Sequence, residues 1–159
     1  IGERAGREAA LRALGQDTEI PEHLSALLPQ LCNLLVFDWL IGNTDRWSGA
    51  NVKGDVSGQL LYIRDHDFAF GKLSPEQEQR LFAPLARSER YSRNLMARVR
   101  TLTRARFEHE LAQDPSFART PPRIEETALR ALFERRGKLL AHVDGLSERY
   151  GQAAVLSFP

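Results

Sequence analysis

Residues 37 to 71 read FDWLIGNTDRWSGANVKGDVSGQLLYIRDHDFAFG and carry the side chains best suited to chemistry. Asn43, Asp45, Arg46 and Asn51 crowd the end of an apolar run. Asp65, His66 and Asp67 form a second polar cluster, closed by an aromatic turn at Gly71. Carboxylates so placed suit phosphoryl transfer. One orients or deprotonates an acceptor hydroxyl, and another, often with a loop amide, holds the divalent metal that neutralises the nucleotide phosphates. Asp45 falls just past a helix end, where a carboxylate can project into a cleft, and Asn51 follows six residues on. Oxygen donors of this kind favour Mg2+ or Mn2+. The stretch is therefore expected to hold a metal-phosphate group between two acidic points.

The elements that must position these residues are mostly helices. Leu24 to Ile41 is apolar on all sides, which predicts a central buried helix. Pro29 must lie in its first turn or mark a break, and Gly42 stops it. Ala50 to Lys53 and Gln59 to Arg64 alternate as two short strands around the turn sequence GDVSG. Residues 3 to 14 form a short helix. Ser74 and Pro75 cap and open another, running to Ala83. Further helices are expected over Glu89 to Leu102, over Arg104 to Gln113 behind a Thr103 cap, and over Arg123 to Tyr150. The arginines of the last helix read as a solvated face. Trp39, Phe68 and Phe70 read as core anchors. The fold class is mainly α (α+β), a single domain over residues 1 to 159 with one small β-hairpin.

Composition narrows the function classes. The 159 residues are 42% hydrophobic and 27% charged, as in a soluble globular domain. A formal net charge of +1 gives no reason to expect nucleic acid as a partner. No apolar run is long enough to span a membrane, and the charged N-terminal residues do not resemble a signal peptide. Cys32 is the only cysteine, which excludes an internal disulfide and reads as a small buried hydrophobe. A soluble chain follows, with the cytoplasm the favoured compartment.

LIGNTDRW with the downstream Asn51, followed by IRDHDFAFG, resembles the Fam20 and four-jointed group of atypical kinases. That group is related more distantly to HipA-like and phosphoinositide kinases. The resemblance implies a kinase C-terminal lobe in which a helix ends in a Gly-Asn-x-Asp-Arg catalytic loop. A hairpin then leads to a metal-binding aspartate. It makes Asp45 the catalytic base and Arg46 its support through a paired carboxylate. Asn43 and Asn51 lie on the cofactor side, and Asp65 with Asn51 binds the metal. Trp47 stands where many relatives carry histidine, and Asn51 is one residue further from Asp45 than in the wider kinase pattern. Nothing before Leu24 offers strands, a glycine-rich loop or a lysine, so the N-lobe of a kinase is absent from this chain.

The function expected is metal-dependent transfer of a phosphoryl group from ATP to a hydroxyl acceptor, whether protein Ser/Thr, sugar or lipid. The alternative from another class is a non-catalytic pseudokinase that keeps the fold as an interaction module. A phosphohydrolase using Asp65 and Asp67 ranks last, because the further ligand clusters it needs are missing.

Overall fold

The computed structural model describes residues 4–48, 51–117 and 124–159. It is mainly helical with one two-stranded antiparallel sheet. At its centre lies α2 (Leu27–Ile41), preceded by a 3-10 turn at Glu22–Leu24. Ten of the fifteen α2 residues are buried, as uniform apolarity requires. Pro29 falls in the first turn, where the missing N–H would have no helical partner anyway. Against α2 pack α3 (Pro75–Ala86) and α6 (Glu126–Tyr150), and α1 (Arg4–Arg12) adds Ala10 and Leu11 to the same core. One continuous core joins Leu14, Leu28, Leu31, Leu35, Trp39, Leu85, Tyr91, Met96, Leu139 and Val143.

The end of α2 is fixed from outside the helix. Gly42 adopts the left-handed conformation, φ +72, and Asn43 N donates to Asp38 O at 2.9 Å. This pairing satisfies a terminal carbonyl. From α6, Arg135 reaches across and donates from Nε and Nη2 to Leu40 O at 3.1 and 3.0 Å. Trp39 returns the contact, its indole Nε1 donating to Arg135 O at 2.8 Å. Arg135 is thus buried, contrary to the expectation of a solvated arginine face, and burial lowers its guanidinium pKa.

Several boundaries shift for identifiable reasons. The helix expected from Glu89 begins at Arg93, as α4 (Arg93–Thr101) capped by Ser92. The residues before it are drawn out by the C-terminus: Tyr91 N donates to Val155 O at 2.7 Å and Phe158 N to Tyr91 O at 3.2 Å. Tyr91 is buried, and its hydroxyl lies 3.1 Å from both Leu85 O and Ser88 O. α3 opens on the expected Ser74 cap, which forms a capping box with Gln77, and runs past the expected end at Ala83 through Pro84 to Ala86. α5 (Arg104–Gln113) has the expected bounds. α6 passes Gly137 and Gly145 unbroken, its expected start at Arg123 lying outside the described residues. A short α7 (Gln152–Val155), unsignalled by periodicity, completes the chain.

The hairpin pairs β1 (Val52–Gly54) with β2 (Leu61–Ile63) in the register Val52 to Ile63. Ala50, expected to open β1, lies outside the described residues. The Asp55 carboxylate closes the turn by accepting from Gln59 N and Leu60 N at 2.7 and 2.9 Å. One α2 side chain docks the hairpin: Gln30 donates to Gln59 O at 2.7 Å and accepts from Leu61 N at 2.9 Å.

Candidate active site

Arg46 organises the loop that follows α2. It is 2% exposed, and its five N–H donors meet five acceptors. Nε and Nη2 form a two-pronged pair with the buried Asp38 carboxylate, each at 2.8 Å. Nη1 donates to Arg64 O at 2.7 Å and more weakly to Asp65 O at 3.4 Å. Nη2 also donates to His66 Nδ1 at 2.9 Å. Because arginine cannot accept, His66 must carry its ring proton on Nε2 in this arrangement. One buried guanidinium therefore ties α2, the loop and the acidic segment together.

The asparagines extend the same framework. Asn43, 1% exposed, donates to Asp38 Oδ1 at 3.3 Å and accepts from Asp45 N at 3.1 Å. Asn51 is also buried and donates to Asp45 O at 3.2 Å and to Asp45 Oδ2 at 3.4 Å. Its backbone carbonyl accepts from Arg64 N at 3.1 Å, continuing the hairpin ladder towards Asp65. Asp45 is half-buried, held through its backbone and left with carboxylate capacity to spare.

Asp65 is exposed and sits in the left-handed region, φ +63. Short polar residues tolerate that conformation best. Its Oδ1 accepts from Asp67 N at 3.2 Å, as in an Asx turn. Phe70, φ +61, closes the segment by donating its backbone N–H to Ile41 O at 2.7 Å. Phe37 meets His66 edge to face at 5.5 Å. Of the three expected anchors, Trp39 is buried and Phe70 half-buried. Phe68 is 59% exposed, since the turn between the two left-handed residues directs it away from the core.

Asn43, Asp45 and Asn51 are thus joined directly, Arg46 joins them through Asp38, and Asp65 joins Arg46 through its backbone. The residue that sequence reasoning missed is Asp38. Its signal was a lone carboxylate inside an otherwise apolar helix, and only a buried cation makes such a residue tolerable.

The donor set fits a hard cation in a limited way. Asn51 spends its side-chain N–H groups on Asp45, leaving its amide oxygen uncommitted among the described residues. Asp65 Oδ2 is likewise uncommitted. Among the described residues no three carboxylate, imidazole or thiol groups converge as a complete metal cage. Mg2+ is commonly held by one or two carboxylates together with substrate phosphates, and the chain offers one such carboxylate at Asp65. No protein-family model matches the chain, and comparisons with curated proteins and with solved structures return no match.

Proposed function

We propose that this domain is the acceptor- and metal-holding part of a phosphotransferase, resembling the C-terminal lobe of an atypical kinase. The observation that carries this reading is the Arg46 clamp. A buried arginine joins the loop bearing Asp45 to the backbone of Asp65. A turn-forming aspartate needs no such apparatus. Asp45 orients the acceptor hydroxyl and takes up its proton as phosphoryl transfer proceeds. Asn43 and Asn51 hold the Asp45 backbone and carboxylate, and Arg46 is a positioning residue. Asp65 and Asn51 are the groups that would bind Mg2+ or Mn2+, which neutralises charge on the nucleotide phosphates when bound.

Calorimetric titration of ATP with Mg2+ or Mn2+ into the full-length protein tests the reading, with Asp65→Ala alongside. Metal-dependent binding lost in the variant is the expected result, and binding indifferent to Asp65 overturns it. Asp45→Ala should then keep nucleotide binding and lose turnover by about a hundredfold or more. Nucleotide binding without turnover in the unsubstituted protein would instead identify a non-catalytic module.

A further inference from the structure

A cleft of about 380 Å³ opens beside the Asp45 loop, between that loop and α3. Thr44 and Arg46, the residues flanking Asp45, line it together with Asp38, Asn43 and Trp47. Gln77, Arg80, Leu81 and Pro84 form the opposite wall. The state of each polar group decides what the cleft can receive. Its acceptors are already occupied: Asp38 by Arg46 and Asn43, Asn43 Oδ1 by Asp45 N, and Gln77 Oε1 by Ser74 N at 2.8 Å.

The donors are not. Arg80 is exposed and pairs with no carboxylate among the described residues. Glu76, one turn before it, accepts from Ser74 Oγ at 2.7 Å, and that bond first, then the Arg80 charge, lowers its carboxylate pKa. The Gln77 amide N–H groups and the Thr44 hydroxyl make no hydrogen bond among the described residues. Arg7 adds positive charge behind the apolar wall, stacked 4.7 Å from the centroid of the Trp47 ring. Such a lining offers N–H and O–H groups, one exposed guanidinium whose N–H groups make no hydrogen bond among the described residues, and an apolar surface. Its complement is an acceptor-only anion carried on a partly apolar body.

We propose that this cleft seats a carboxylate or phosphate group borne by the acceptor substrate, with Arg80 as its principal ligand and a determinant of specificity. The proposal rests on the phosphotransfer reading only in calling the ligand the acceptor. Binding of the oxyanion itself requires neither nucleotide nor metal.

The test is a titration of the full chain with O-phosphoserine, free of nucleotide and metal, followed by the indole N–H resonance of Trp47. Inorganic phosphate serves as the second probe. Trp39, buried on α2, serves as an internal reference. A saturable shift confined to Trp47 is expected, with dissociation about tenfold or more weaker in Arg80→Gln. Arg98→Gln, at an exposed position on α4, should leave it unchanged. Equal affinity in Arg80→Gln, or no saturable response, overturns the site. Equal responses to inorganic phosphate and phosphoserine overturn its assignment to the acceptor. Intact oxyanion binding in a protein that fails to bind nucleotide would count against the phosphotransfer reading alone.

Discussion

The candidate site has two halves built on different physical terms. The loop after α2 is part of the core: Asp38, Asn43, Arg46 and Asn51 are all buried, with Asn43 and Arg46 bonded to Asp38 and Asn51 to Asp45. The hairpin and acidic segment lie outside. Val56, Leu60, Tyr62, Ile63 and Phe68 are exposed, and attachment comes from Val52 and Leu61, which face the core, with Gln30, Arg46 and the Phe70 backbone. A two-stranded sheet is marginal alone, so its order is borrowed from the loop. Stability of the loop half therefore sets the geometry of both halves.

The strongest way to break this asymmetry is at Arg46. Arg46→Met strands the buried Asp38 carboxylate and should cost about 3–5 kcal/mol, read as a fall in the urea midpoint. The double variant Asp38→Leu/Arg46→Met should recover most of that stability without recovering order in residues 64–70. Recovery of both, seen by amide exchange, would show that the acidic segment does not depend on the clamp.

Alkaline pH should act next, and on the core. Burial pushes the Cys32 thiol up to about 12, so the folded chain retains a proton that the unfolded chain loses near its ordinary value of 9.0. Stability is fully present below that pH and declines as pH rises towards 12, by at most about 4 kcal/mol. Cys32→Ala should flatten this slope in urea melts recorded from pH 8 to 11. Buried Tyr91, its phenol pKa also raised by desolvation, sustains the remainder.

Gly42→Ala sharpens the comparison from the helix end. The substitution demands φ +72 of an alanine and brings its Cβ within 3.1 Å of Arg135 Nη2. A cost of about 1–3 kcal/mol follows, measurable as a lower melting temperature. Gln30→Ala should have the smallest effect, about 1 kcal/mol or less. The Leu61 amide should exchange faster while the global unfolding midpoint barely moves. A large midpoint shift would mean that the hairpin contributes to the core after all.

The same contrast explains what was legible in the sequence. The central helix, the Ser74 cap, α5 and the hairpin follow from local signals: uniform apolarity, a cap with a proline, and alternation around glycines. The site residues stood out because Asn43, Asp45, Arg46, Asn51 and Asp65 interrupt those patterns. Asp38 and Arg135 did not stand out, since their partners lie on other elements and a charged residue within a helix ordinarily faces water. Tyr91 was hidden for a similar reason. A helical pattern extends through it, yet pairing with Val155 and Phe158 overrides local propensity.

Phe70 N–H to Ile41 O and Arg46 to Arg64 O both close the chain across the hairpin without using its tip. The path length between β1 and β2 is therefore free of the site's geometry. Val56, fully exposed in the turn, marks a point where residues could be added, a second domain inserted or the chain reopened with new termini. Asp45 and Asp65 would keep their relation through all three operations, because the fold measures that relation across Arg46 and not along the polypeptide.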